Sequence, residues 1–289
     1  MQALYERIDI RLVHGVGFLL IIAVIVGFFL PRAARVTVPT IASNVMKEAF
    51  RRRIIYLLPA GIILLFLAGS FLSTQVSPGD EDKMVKDSAM ASLFVMTILL
   101  GIFLSVQLIP TEVERRTVYI ILSKPVKRYH FVAGKFLGVL GVIGLMTLVT
   151  GAVLIGLVYL RTQVWAPEMI FAMFSAVVIS AVLSALVITT STVSSMMLTV
   201  FVAFVLYFLG SIQSSLENIA RHTEVPVQQL AIQLVSVILP NFENWDTRLR
   251  VLDEIMPPLP LLSGILLHAS VYTIVVLAFG MLFFNEREV

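Results

Sequence analysis

The chain has 289 residues, 58% hydrophobic and 13% charged, and its mean hydropathy of +0.97 lies far outside the range of a water-soluble domain. A net charge of +3 does not mark a nucleic-acid binder, because the lysines and arginines stand in short clusters beside apolar runs, as juxtamembrane residues do. The absence of cysteine excludes disulfides, thiolate metal sites and cysteine nucleophiles.

Backbone groups in hydrocarbon must be hydrogen-bonded within their own segment, so a span is a helix of about 20 mostly apolar residues. Seven runs qualify, at roughly 12–30, 54–72, 89–109, 136–160, 169–190, 195–212 and 261–284. The expected fold is an all-α, polytopic membrane helix bundle. The first run, "HGVGFLLIIAVIVGFFLPRAAR", reads as an uncleaved span: Arg32 and Arg35 follow the apolar core and Glu6 and Asp9 dilute its front, the reverse of a signal peptide.

After it comes "IASNVMKEAFRRR", residues 41–53. Ile41, Ala42, Val45, Met46, Ala49 and Phe50 alternate in pairs with Ser43, Asn44, Lys47, Glu48, Arg51 and Arg52, which makes a two-faced helix expected to lie along the membrane surface. It serves either as a plain interfacial anchor or in transmitting motion.

Residues 110–135, "PTEVERRTVYIILSKPVKRYHFVAGK", are charged and sit between two apolar runs. Placing their cations in hydrocarbon would cost roughly 2.5–3.5 kcal/mol each, so the segment lies outside the bilayer. Pro110 ends the preceding span, Thr111 and Glu114 form a capping box, Glu112 and Glu114 stand near the positive helix end, and Pro125 stops the helix. A second helix is expected to begin near Tyr129 and run through Gly134 and Lys135 into the next span. Such a segment is either a solvated loop touching anionic headgroups or a docking element for a partner on that side.

In the fourth run Gly134, Gly138 and Gly141, followed by Gly144, Gly151 and Gly156, make a small-residue face expected to pack on another helix. The fifth and sixth runs, joined by "STVSS", should form a tight hairpin. Hydroxyls around it, Ser184, Thr189, Thr190, Ser191, Thr192, Ser194 and Ser195, either line a polar route or bond back to their own helices. The loop 213–260 is too long for a connector; Val227, Leu230, Ala231, Leu234, Val235 and Ile238 trace one helical face, expected either to rest on the outer leaflet or to re-enter it, and to gate an exit. His268, in the last span, reads as a packing histidine.

Orientation follows from the basic residues. Segments 31–53 and 110–135 carry six lysines and arginines each and are separated by two spans, whereas 73–88 and 213–260 are richer in acids. The positive-inside rule places the basic segments and the C-terminus in the cytoplasm and the N-terminus outside. No Asp, Glu, Lys or Arg falls within a span as drawn, which disfavours an ion-coupled carrier. There is no H-E-x-x-H, buried acid pair or phosphate-binding loop, so neither an intramembrane protease nor an ATPase is expected.

The arrangement resembles the permease subunits of type-2 ABC transporters, which include many bacterial exporters, and within them the subgroup of the nitrous oxide reductase maturation permease. The similarity covers about residues 40–289. "ASNVMKEAFRRR" looks like the family's elbow helix (41–53 here, with Lys47, Glu48 and Arg51). "EVERRTVYIILSKPVKRYHFVAGKFLG" looks like its cytoplasmic connection, E-x-E-x-x-T followed by a basic P-[IV]-x-R turn and a G-K. "LPNFENWD" and the terminal "FFNEREV" are weaker matches. Residues 1–39 then form an extra N-terminal span and linker beside six core spans.

The resemblance implies that segment 110–135 packs on an ATPase subunit and passes its closing motion to the membrane. The coupling residues would be Glu112, Glu114, Thr117, Pro125, Arg128, Gly134 and Lys135, with Arg115, Arg116 and Lys124 in the same basic segment. It implies a second permease protomer, identical or not, a bacterial inner-membrane location with lipid contacts, and no cofactor in this chain, ATP and Mg being held by the partner. Two functions share these motifs: a subunit that moves a substrate outward, and a non-transporting scaffold or mechanical transmitter driven by the same ATPase.

Overall fold

The computed structural model describes residues 32–52, 54–76, 81–108, 128–213, 215, 239–253 and 255–286. Among these residues the regular elements are all helices: α1 (Arg32–Arg51), α2 (Ile54–Val76), α3 (Glu81–Val106), α4 (Arg128–Thr162), α5 (Met169–Ser191), α6 (Met196–Ser211), α7 (Phe242–Trp245), α8 (Arg248–Leu252) and α9 (Leu259–Glu286). Five of them, α2, α3, α4, α5 and α9, contain stretches long and apolar enough to cross a membrane. The runs from 54–72 onward each fall in one helix. The run at 12–30 and the amphipathic face at 227–238 lie outside the described residues.

Two boundaries differ from the sequence reading. Helix α3 begins at Glu81, not near 89, so the charged stretch after the α2 turn is helical. Helix α6 has 16 residues, about 24 Å at 1.5 Å per residue, short of the ~30 Å hydrocarbon thickness. Its last turn is closely approached by the segment at 240–242: a Cβ on Gly210 would stand 2.7 Å from the Pro240 carbonyl oxygen.

Helix α5 is the hub, packed on α3, α4, α6 and α9. Its spanning stretch is 61% buried against 22% for those of α2 and α9, whose remaining apolar faces are left for lipid. Because lipid is as apolar as leucine, helices here associate through close packing and interhelical hydrogen bonds. Both are present. The Ser180 hydroxyl donates to the Thr97 carbonyl (2.9 Å) and the Thr97 and Thr147 hydroxyls are 3.3 Å apart, joining α3, α4 and α5. The Thr189 hydroxyl donates to the Val276 carbonyl of α9 (3.0 Å).

The remaining hydroxyls bear on the two readings of this cluster. Ser184, Thr190, Ser191 and Thr192 donate to carbonyls three or four residues back at 2.7–2.9 Å, and Ser184, Ser191 and Thr192 are buried. These four bond within their own helix and its end. The α5–α6 hairpin is as tight as expected, closed by Val193 N–H and Ser194 N–H on the Thr190 carbonyl.

Helix α1 is longer than the 41–53 stretch read from the sequence, running unbroken from Arg32 through Pro39. Its two faces are those expected: Val45 and Ala49 are buried and Ile41, Ala42, Met46 and Phe50 half-buried, while Ser43, Asn44, Lys47, Glu48 and Arg51 are exposed. The apolar face, however, lies on protein. It packs along the first half of α4, with Gly134 against Val38 and Ile41, Gly138 against Ala42 and Val45, and Gly141 against Met46. Residue numbers rise together, so the two helices run parallel here. Of the glycines of the fourth run, Gly134, Gly138 and Gly141 therefore pack on α1 and Gly151 packs on Met173 of α5, whereas Gly144 and Gly156 face open space.

A Cβ on Gly138 would stand 2.6 Å from the Val45 Cβ and 2.9 Å from the Ala42 carbonyl oxygen, whereas one on Gly144 meets nothing within 4 Å. Gly138→Leu is expected to lower the thermal unfolding midpoint in detergent, an overpacking cost of about 1–3 kcal/mol. Gly144→Leu, which gains helix propensity without a clash, should leave the midpoint unchanged or raise it; equal effects would contradict the packing described.

Candidate functional site

At one end of the bundle α1, the start of α2, the end of α3 and the start of α4 meet around a buried apolar cluster that includes Val45, Ala49, Ile55, Leu108, Phe131, Val132, Val139 and Ile143. This is the basic end. Of the residues expected to couple to a partner, Glu112, Glu114, Arg115, Arg116, Thr117, Lys124 and Pro125 lie outside the described residues. Arg128 opens α4. Gly134 and Lys135 lie on its second turn, as the sequence placed them.

Helix α4 has 35 residues, about 52 Å, so it exceeds the ~30 Å hydrocarbon thickness and is long enough to carry the charged segment's exit clear of the bilayer. Its first turns are nonetheless buried. Phe131 and Val132 are enclosed, as are His130 and Lys135. The Lys135 ammonium lies 5.3 Å from the centroid of the Phe131 ring, and the His130 ring packs edge-on against Tyr129 with centroids 4.3 Å apart. A buried ammonium requires compensation; the ring face supplies part of it. Lys135 is thus a structural member of the segment's root, not a solvent-facing charge.

The residues singled out on α1 occupy the opposite situation. Lys47, Glu48 and Arg51 are exposed. A residue outside that set joins the elements: Arg52, at the turn between α1 and α2, donates to Glu48 at 2.7 Å and to the Gln107 side chain at the end of α3. The run "RRR" gave no ground for ranking Arg52 above its neighbours. Only the distant Gln107 distinguishes it.

The other end is built from the segment that follows residue 238. Asn241 caps α7, accepting the Asn244 N–H at 3.0 Å. Phe242 and Trp245, both buried, turn inward, where Phe242 meets Tyr207 of α6 and Trp245 meets His268 of α9 with ring centroids 6.1 and 5.4 Å apart. His268 is a packing residue, as read. The Thr247 hydroxyl donates to the Phe171 carbonyl at 2.9 Å and lies 3.3 Å from the Ser175 hydroxyl, both on α5. Arg248 pairs with Asp246 at 2.6 Å and lays its guanidinium 4.0 Å over the Phe94 ring of α3. Phe94 stands 13 residues past Glu81, about 20 Å along α3. Part of the 213–260 loop, residues 242–252, therefore packs into the bundle, while the amphipathic stretch at 227–238 lies outside the described residues.

This placement corrects one inference. The spans carry no ionisable residue as drawn from the sequence, yet Arg248 and Asp246 reach the same depth from the loop. Lys86, in the helical extension of α3, is buried and pairs with Glu168 ahead of α5 at 3.3 Å. Its signal was available: Lys86 shares a helical face with Ala89, Met90 and Leu93, all buried. The Lys86–Glu168 pair fastens α3 to the segment ahead of α5, whereas Asp246–Arg248 is a local pair whose guanidinium reaches α3 through Phe94.

A family model for the ABC-2 family transporter protein matches residues 5–289, a reach that takes in the N-terminal apolar run. No curated protein matches the chain.

The Asp246–Arg248 pair is less than a third exposed on both sides, 19% and 27%, so it should contribute measurably. Arg248→Gln is expected to cost about 2 kcal/mol by stranding Asp246 and the Phe94 contact. Adding Asp246→Asn should recover part of the loss, giving a coupling of about 1 kcal/mol or more in a double-mutant cycle of thermal stability. Strict additivity would show that the pair is decorative.

Proposed function

Because the chain belongs to the ABC-2 transporter family, we propose that it is the permease subunit of an ATP-driven exporter, working with a separate ABC ATPase that binds ATP and Mg. Family membership supports a multi-pass membrane component of an ABC transporter with an ATPase partner. Outward transport, coupling through segment 110–135 and the pairing of two permease protomers are our reading. The segment "LPNFENWD" at 239–246 leads us to the narrower assignment, the subgroup of the nitrous oxide reductase maturation permease.

One observation carries the coupling assignment. The charged segment flows directly into α4, and the first half of α4 holds α1 through Gly134, Gly138 and Gly141. A push on the segment reaches two helices at once. Closure of the ATPase is thereby converted into a joint displacement of α1 and α4 relative to α5, the hub. Lys135 and His130 anchor the root of the segment, so its base moves with α4 instead of yielding. In this reading the basic end faces the cytoplasm, and the segment 242–252 closes the opposite mouth of each protomer.

Charge reversal at Arg115, Arg116 and Arg128 is expected to uncouple ATP hydrolysis from cargo movement in vesicles containing both subunits, with the permease still folded. Normal transport by variants that still bind the ATPase would refute the coupling assignment. Full ATPase stimulation without movement of any lipid, drug or peptide cargo in the unmutated complex would favour the mechanical transmitter.

A further inference from the structure

Beside the start of α2 the packing leaves two clefts that share the walls Ile55, Leu58 and Leu100. One ends at Arg52 and Gln107; the other continues to Met96 and Thr97. From Gln107 to Met96 is 11 residues of α3, about 17 Å, close to half of the ~30 Å hydrocarbon thickness. The cleft thus has the depth of one leaflet. Its walls are aliphatic and aromatic, with Phe103 on its rim 45% exposed, and its outer end is polar.

The charge at that end is net positive. Lys47 and Arg51 are exposed on the adjoining turn of α1, and Arg52 offsets Glu48. The Arg52 guanidinium is held in place by Glu48 and Gln107. It carries five N–H donors, more than those two bonds use, in the fork geometry suited to a phosphate.

We propose that this cleft is a binding site for an anionic phospholipid, its phosphate on Arg52 and one acyl chain laid along Ile55, Leu58 and Leu100 toward Met96. Charge complementarity selects the headgroup and the leaflet-length apolar wall selects the chain, so both ends of the ligand are specified. The lipid would fill the gap at the α1–α2 turn, where Arg52 already ties α1 to α3. The site requires only that Arg52 lie at a membrane–water interface, and holds whichever face the basic end occupies.

Native mass spectrometry of the purified full chain, with phosphatidylglycerol and phosphatidylcholine added in equal amounts, tests this. The unmutated protein is expected to retain phosphatidylglycerol over phosphatidylcholine by about fivefold or more. Arg52→Gln should remove that preference. Arg161→Gln, an exposed arginine at the other end of α4, should leave it intact. Phe103→Trp, which narrows the cleft without touching a polar group, should weaken retention of both lipids and covers the case in which Arg52→Gln fails to fold. Equal retention of the two lipids by the unmutated chain, an unchanged preference in Arg52→Gln, or an equal loss in Arg161→Gln would each overturn the proposal. So would Phe103→Trp breaking a dimer with lipid retention unaltered, since the cleft would then hold a second copy of the chain.

Discussion

The backbone-to-backbone approach of α1 and α4 is the constraint on which the basic end depends. Gly134, Gly138 and Gly141 remove the side chains that would hold the helices apart, and Val38, Ile41, Ala42, Val45 and Met46 occupy the space. In lipid no hydrophobic force drives two helices together, so the attraction comes from contact area alone, which grows as backbones near each other. Without that approach α1 would be an amphipathic helix resting on headgroups. With it, α1 becomes a wall of the bundle, and the charged segment entering α4 gains a second helix to move.

The two ends are held by different physics. At the basic end the contacts are apolar and shape-dependent, with Arg52 bridging to Gln107 at the margin. At the opposite end the segment 239–253 carries polar backbone and charged side chains into the bundle, and each described tie is specific: a capped turn at Asn241, the Thr247 hydroxyl on a helix carbonyl, Asp246 on Arg248, Lys86 on Glu168. Irregular backbone at membrane depth survives only when other protein groups satisfy it. That requirement explains why so short a stretch touches α3, α5, α6 and α9, and why Gly210 leaves room for the Pro240 carbonyl. In the proposed export cycle the basic end transmits and the opposite end closes.

Much of this was legible in the sequence because lipid imposes simple rules. Runs of apolar residues located the helices, the paired alternation at 41–52 gave both faces of α1, and the glycine spacing gave the contact face of α4. What periodicity does not carry is the identity of the partner: nothing in either segment says that the glycines of α4 and the apolar face of α1 belong together. The same gap hid Arg52–Gln107 and Lys86–Glu168, whose members are 55 and 82 residues apart. The packing of 242–252 into the bundle was not legible, since its signal is not a hydrophobic face but isolated aromatic and polar groups, Phe242, Trp245, Thr247 and Arg248, each matched to a different helix. The hydroxyls near the α5–α6 turn were ambiguous for a related reason, because a serine that bonds its own helix and one that lines a path look alike until burial is known.

The account stands or falls on α1 and the first half of α4 moving as one body. The chain has no cysteine, so spin labels can be attached at introduced cysteines on two exposed positions, Asn44 of α1 and Leu137 of α4. Their separation can then be measured by pulsed electron resonance in the complex with its ATPase. A single narrow distance that stays the same in nucleotide-free and ATP-bound states is the predicted result. A distance that changes with nucleotide, or a broad distribution in either state, would show that the two helices slide past each other and that the glycine face is not a rigid joint.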